Sequence, residues 1–469
     1  MILYLRLAAA VTFLYLYGAC ILCLLGYRLS DLPKRFYLVF CFGSGGAASL
    51  MFLAGFIRIP LSLGNILLGL LVLSGASLIK LLVPGRKSGW GIFDGLPLYQ
   101  EKGSSSFLRK SFFFVFPLLM AGLALSLLAI SLREPDNSWD ASSYWLPKAK
   151  AIYLEQGIYS DYFHQESSSR GHPYYPLLTP LVTSHIYFFL GGIDNRLVRP
   201  LFLLYFLMLL AAFFDMLRHY VSRETALAFT AFLSAIPRFL MGGGSALVCA
   251  ANIPLAFYCF ILLIFITVSL KERKPEFIPA LALVLYFCAF TKLEGLFYGM
   301  ILLSGSTLFI RRPFFLRDFV RMLIIFGALY APWFIFRNNF IRLPHANFPA
   351  AITLDYVLTK ASRLAFIIPM LIFECLKLVH WHITWFIFTA SLFFCLKNKQ
   401  PRMEIRYLWV VIGGFFAFFV AAYMLSSWWG ALNDEACKAL IRYSGSALFS
   451  SLIPIALFCS ALSLESSRR

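Results

Sequence analysis

Residues 112–150 read FFFVFPLLMAGLALSLLAISLREPDNSWDASSYWLPKAK. The stretch 112–131 carries no charge and is long enough to cross about 30 Å of hydrocarbon as a helix. Directly after it come Arg133, Glu134, Asp136, Trp139, Asp140, Tyr144, Trp145, Lys148 and Lys150, opening a polar interruption that runs to about residue 176. A carboxylate set among aromatics, with lysines close behind and at the end of a spanning helix, points to chemistry at a membrane surface.

The rest of the chain has the character of 112–131. It is 60% hydrophobic and 13% charged, too apolar for a soluble multi-domain protein. Apolar runs recur at 5–27, 36–57, 62–83, 197–217, 224–241, 252–270, 278–291, 296–310, 322–336, 380–396, 406–425 and 446–462, giving about thirteen crossings with 112–131. The runs 278–291 and 296–310 are short, and a second apolar stretch, 364–379, competes with 380–396. Lipid offers backbone groups no partner, so continuous runs of this kind imply an all-α polytopic bundle; a barrel would show short alternating segments.

The formal charge of +19 does not signal nucleic acid. Lysines and arginines cluster in the connections 28–35, 86–110, 218–223, 271–274, 311–321 and 397–406 and at Arg468 and Arg469, all on one side of a thirteen-span chain, as the positive-inside bias predicts for the cytoplasmic face. The polar connections 132–196, 337–363 and 426–445 then face outward. This requires the apolar stretch 175–190 not to cross but to pack at the outer interface or be partly re-entrant. The expected location is the cell (inner) membrane, multi-pass, with the active site on the extracytoplasmic face. The expected organisation is a three-helix membrane segment over 1–83, a cytoplasmic linker over 84–111, a catalytic membrane domain over 112–462 with its outer loop at 132–196, and a tail over 463–469. The ten cysteines lie mostly in apolar runs and read as small hydrophobes, and the first run, too long for a signal-peptide core, reads as a retained helix.

Asp140, desolvated on one side by Trp139, Tyr144 and Trp145, suits a general base, a metal ligand or a partner for a sugar hydroxyl. The same residues also read as an interfacial aromatic belt with a helix-capping Asp. In a regular helix Asp140, Tyr144 and Lys148 share one stripe, a register that Pro147 can break. Lys148 and Lys150 fit a phosphate or the wet face of an interfacial helix. His172 starts a rigid turn, 171–176, on the same face. Lys292 and Glu294 sit between two short runs, and charges at membrane depth are paired or functional. Arg442, before the last run, suits a phosphate clamp or an interface anchor.

In order, these segments resemble the bacterial GT-C glycosyltransferases, relatives of protein O-mannosyltransferases and lipid A aminoarabinose transferases. The resemblance covers about residues 112–462. It rests on Trp139-Asp140 through Lys150, His172-Pro173 to Pro176, Arg196 to Pro200, Ala251 to Ala256, Thr291-Lys292-Leu293-Glu294-Gly295, Pro332-Trp333, and Arg442-Tyr443 with Pro454. It implies a GT-C-like bundle that transfers a sugar from a polyprenyl-phosphate donor to a hydroxyl of a glycan, lipid or protein acceptor, with inversion. Asp140 would be the base, and Lys292, Arg442, Lys148 and Lys150 would hold the donor phosphate. Trp139, Tyr144, Trp145, His172 and Glu294 would line the substrate. Asn252 and Tyr174 stand where the family often has acidic residues, so a divalent metal, though compatible with the loop, is not implied at those positions. The contrasting reading is a transporter or flippase of lipid-linked glycans, which calls for ionisable residues or broken helices near the midplane, whereas the charges here gather at one rim.

Overall fold

In the computed structural model every regular element is a helix, as expected of a chain that must satisfy its backbone inside lipid. The structure describes residues 1–82, 90–94, 96–99, 107–163, 172–242, 244–271, 275–309, 314–341, 352–397, 402–425 and 434–467, without the side chains of 29, 107–113, 271, 275, 314–316, 434–447 and 467. In chain order the helices are α1 Ile2–Leu25, α2 Phe36–Phe56, α3 Leu63–Leu82, α4 Phe107–Arg133, α5 Leu146–Leu154, α6 Leu178–Leu190 and α7 Asn195–Leu217. There follow α8 Arg223–Ser234, α9 Pro237–Leu240, α10 Asn252–Lys271, α11 Ile278–Thr291, α12 Leu293–Thr307 and α13 Phe314–Phe336. The last are α14 Leu354–Lys360, α15 Leu364–Cys375, α16 Leu378–Trp381, α17 Thr384–Lys397, α18 Met403–Leu425 and α19 Asp434–Ser467.

Among the described residues ten helical stretches are long and apolar enough to cross a membrane: Ile2–Leu25, Pro33–Phe56, Leu63–Leu82, Phe114–Arg133, Asn195–Leu217, Asn252–Leu270, Arg317–Ile341, Leu354–Cys375, Met403–Leu425 and Leu448–Ser466. The protein is a multi-pass, all-helical membrane protein. The core is built from α10 and the Leu448–Ser466 part of α19, of which 89% and 94% are buried, with α2 and α7 around them; α3, α4 and α13 are peripheral. α1 and α2 approach closely through Gly18 and Gly43: a methyl group on Gly18 would lie 1.8 Å from Val39 O, and one on Gly43 would lie 1.9 Å from Leu14 O. α2 in turn packs on α6 and α7, so the first helices are joined to the rest of the bundle. Part of the expected linker is also tied down: Tyr99 N donates to Arg218 O at 3.0 Å, Leu96 O accepts from His219 Nδ1 at 2.7 Å, and Arg28 pairs with Asp94.

Several expected crossings differ from the observed helices. The run 224–241 divides into α8 and α9 because Ile236 precedes Pro237, whose ring disfavours a helical residue before it; Ile236 is extended, with ψ 121°. α8, with its 12 residues, rises only about 18 Å. α11 and α12, at 14 and 15 residues, are also short of a full crossing as straight helices. The expected connection 426–445 is helical from Asp434 onward, so α19 continues well beyond its apolar window. α6, at 13 residues buried throughout, packs against α1 and α2 rather than at a lipid interface: His185 Nε2 lies 3.1 Å from Ala10 O, and Arg6 Nη1 donates to Leu190 O at 2.7 Å.

The stretch Leu354–Cys375 joins the end of the expected outer connection 337–363 to most of the apolar stretch 364–379 that competes with 380–396, and it has the length of a crossing. Its contacts keep both ends near one face. Tyr356 Oη donates to Leu425 O and Arg363 Nη1 to Met424 O at the end of α18, while α16, just after Cys375, packs on α9. In a chain whose own cysteines have been replaced, Ser138→Cys, Thr353→Cys and Leu376→Cys should all label with an impermeant maleimide from one side of the membrane, and Arg402→Cys from the other. Labelling of position 376 together with position 402 would make Leu354–Cys375 a crossing.

Candidate functional site

The polar loop after α4 is fixed at its start by buried groups. Arg199 of α7 donates through Nη1 to Glu134 O at 2.6 Å and through Nε to Leu247 O at 2.9 Å. Asp136 accepts from Ser138 N at 2.9 Å and, through its other oxygen, from Cys249 N. Arg199 and Asp136 thereby bind the loop to the 245–250 segment that leads into α10. Asp140 comes next, at the head of a π-helical turn, Ala141–Trp145, in which Leu146 N donates to Ala141 O. A π turn takes up one residue more than an α turn, so it rotates α5 away from the Asp140 stripe.

Lys148 is thereby carried inward. It has no solvent exposure; its Nζ donates to His172 O at 2.6 Å and lies 5.3 Å from the Trp145 ring centre and 5.4 Å from that of Tyr175. Trp145 stacks on Tyr175, and Tyr175 on His172, with centroids 5.8 and 5.0 Å apart. His172 holds a left-handed φ of 48°, uncommon for a residue with a Cβ, and its Nδ1 meets Tyr174 Oη. Tyr144 packs on His172 at 4.7 Å and accepts from Trp139 Nε1 at 3.1 Å, with Trp139 itself exposed. The expected aromatic residues thus form one wall, with Lys148 enclosed behind it and Lys150 half-buried.

The opposite side of the site comes from the α11–α12 corner. Lys292 is extended between the two helices, and Gly295 allows the corner to close: a methyl group there would sit 1.9 Å from Cys288 O. Lys292 Nζ donates to Asn252 Oδ1 at 3.3 Å and lies 3.3 Å from Glu294 Oε1. Glu294 sits in the first turn of α12, where the helix dipole favours an anion, and among the described residues its Oε2 is buried without a hydrogen-bond partner.

Asp140 senses both halves. Partial burial raises its carboxyl above the usual range, the nearby cations Lys292 and Arg238 pull it back, and Asp136 adds to the rise. Tyr175 is raised by burial first and then by the negative field of Glu294, Tyr174, Tyr144 and Asp140, so it bridges the loop wall and the α11–α12 corner. The fold therefore brings Asp140, Lys292, Glu294 and the aromatic wall together. Arg442 lies within α19, and its side chain is outside the described residues. Among the described residues no group of three or more His, Cys, Asp or Glu side chains could hold a metal ion.

Two residues were missed in the sequence. Arg238 was hidden in a run that looked like one crossing; the signal was the Pro237 break beside it. Glu374, almost fully buried, ends the apolar helix α15 and pairs with Lys377 Nζ at 2.5 Å and His380 Nδ1 at 2.6 Å. Its signal was a carboxylate in an otherwise apolar stretch. α4, α7 and α8 enclose an apolar groove of about 450 Å3, lined by Leu123, Leu127, Phe206, Leu210, Leu227 and Ser234 among others.

No family model, curated protein or solved structure matches this chain. Its site is therefore read from its own geometry.

Dehydration pushes Lys148 down to about 7, against the aromatic faces and the carbonyl, which favour the ammonium. Between pH 7 and 10 the unfolded chain then holds more protons at this position than the folded one, so its contribution to native stability rises with pH over that window. Thermal unfolding in detergent should show wild type gaining stability relative to Lys148→Met as pH rises, by at most about 1.4 kcal/mol per pH unit. Parallel pH curves for the two proteins would refute the buried-amine assignment.

Proposed function

We propose that the protein is a membrane glycosyltransferase that moves a sugar from a polyprenyl-phosphate donor to an acceptor hydroxyl, with inversion at the anomeric carbon. The observation that carries this reading is one partly buried carboxylate, Asp140, in the field of two cations, Lys292 from the α11–α12 corner and Arg238 from α9. A base beside paired cations suits a reaction in which a hydroxyl proton is removed while a phosphate departs. The order of polar segments resembling GT-C transferases supports the same reading, as does the apolar groove between α4, α7 and α8, which suits a lipid tail.

In this scheme an Asp140 oxygen takes the proton of the acceptor hydroxyl as that oxygen attacks the anomeric carbon. The bond from that carbon to the phosphate oxygen breaks, and the polyprenyl phosphate leaves with the electron pair. Lys292 and Arg238 offset the developing charge in a site shielded by Tyr144, Trp145 and Tyr175. A raised carboxyl brings the base closer to working pH, which improves proton transfer. Clustering of basic connections on the opposite side favours an extracytoplasmic site in the cell membrane. The acceptor is a glycan, lipid or protein hydroxyl reached from the aqueous side.

The test is sugar transfer from a defined polyprenyl-phosphate sugar by purified protein. Asp140→Asn should lower kcat by about 10²–10⁴-fold, with little change in donor binding. Wild-type kcat should fall as pH drops through an apparent pKa above the ordinary carboxylate range. Full activity in Asp140→Asn would remove the base role, and lipid translocation without transfer would make the protein a flippase.

A further inference from the structure

Glu294 is only half used by the corner it stands on. Its Oε1 lies 3.3 Å from Lys292 Nζ, while its Oε2 is buried without a hydrogen-bond partner among the described residues. One turn further along α12, Tyr298 repeats the pattern: the residue is 1% exposed, and its hydroxyl is likewise buried without a partner. A buried polar atom left unpaired costs stability, so two of them on adjacent turns call for an explanation.

Helix geometry makes the two groups neighbours. Residues four apart share a face, with about 5–6 Å between their Cβ atoms, and helical side chains lean toward the N-terminus. The Tyr298 ring therefore extends back along α12 toward Glu294. It is held by Phe415, Phe418 and Phe419 of α18, with ring centres 4.6, 5.6 and 6.2 Å away. A phenol donates and a carboxylate accepts, so each supplies what the other lacks. The contacts of Lys292 are loose by comparison. Its Nζ reaches both Glu294 and Asn252 at 3.3 Å, against about 2.7–2.9 Å for a charge-assisted hydrogen bond. The Lys292 and Glu294 side chains keep 13% and 20% of their surface exposed, so a ligand can approach the pair.

We propose that Tyr298 is a positioning residue that receives the Glu294 carboxylate when a phosphate takes its place on Lys292. An incoming phosphate monoester competes with Glu294 for the same ammonium, and a carboxylate left beside it would repel it. Rotation of Glu294 toward Tyr298 Oη gives the carboxylate a charge-assisted hydrogen bond and frees Lys292 for the phosphate. Asn252, which is neutral, keeps the ammonium in place throughout. No proton is transferred in the exchange. The unpaired hydroxyl is the local destabilisation that keeps this second seat ready. That the phosphate belongs to a lipid-linked sugar rests on the transferase reading.

The experiment measures thermal unfolding of the full-length protein in nanodiscs without ligand, binding of polyprenyl monophosphate and of the matching polyprenol, and donor KM and kcat. Tyr298→Phe removes one buried, unpaired oxygen from a packed ring, so it should unfold at the same temperature as wild type or higher. It should nevertheless bind the monophosphate more weakly by about fivefold or more, with polyprenol binding unchanged and the transfer defect in KM rather than kcat. Glu294→Ala leaves no carboxylate to receive, so adding Tyr298→Phe to it should change monophosphate binding no further. A lower unfolding temperature for Tyr298→Phe, an unchanged monophosphate affinity, a loss shared by polyprenol, or equal losses in both backgrounds would overturn the inference. So would a wild type with no preference for the monophosphate. Sugar transfer decides the other reading. The expected binding pattern with no transfer would keep the exchange at Lys292 and overturn the transferase, whereas transfer with an unchanged KM in Tyr298→Phe would keep the transferase and overturn the exchange.

Discussion

A lysine at the rim of an apolar bundle has to be compensated where it stands, and Lys292 sets the terms for everything near it. α11 and α12 are too short to cross as straight helices, and they meet at a corner that only Gly295 allows to close. The corner brings an ammonium to Asn252 at the start of α10, to Glu294 in the next turn and into the field of Asp140. The three come from distant parts of the chain and share one charge. Burying a cation without such partners would cost more than a marginally stable fold can spare.

The loop that delivers Asp140 is held by polar groups at its start and an aromatic box at its centre. Asp136 and Arg199 satisfy backbone groups of 134–138 and 247–249 from the side, so the chain turns away from α4 without leaving buried amides unmet. Beyond the π turn, Lys148 does the corresponding work for the second half by binding His172 O. A dehydrated amine between two rings serves as a fastener between α5 and the 172–175 turn. The same enclosure leaves its ammonium with no solvent exposure.

Much of this was legible in the sequence because ionisable residues stand out against apolar text. Asp140, Lys292 and Glu294 interrupt or border apolar runs, and Lys292 pairs with Glu294 and acts on Asp140. The multi-pass helical character follows from the same contrast. The features hidden from the sequence are set by tertiary geometry. The one-residue excess of the π turn decides which way Lys148 points, and no residue type specifies that excess. Arg238 disappeared inside a run long enough to read as a crossing, although the helix breaks at Ile236, before Pro237. The length of Leu354–Cys375 describes a crossing, whereas its hydrogen bonds to Met424 and Leu425 and the docking of α16 on α9 keep its ends near one face. Length and hydropathy do not encode contacts of that kind.

The two cations beside Asp140 differ in how they are balanced, and the difference bears on what each can do. Lys292 has Glu294 at 3.3 Å, a carboxylate on its own corner, so the pair adds little net charge to the site. Arg238 lies in the electrostatic field of Glu374 and Asp140, and Glu374 is itself bonded to Lys377 and His380. Lys292 and Glu294 thus form a locally neutral pair in the field of Asp140, whereas Arg238 reaches the same field from the Pro237 break, so two cations of different shape act on one carboxylate from separate corners of the bundle.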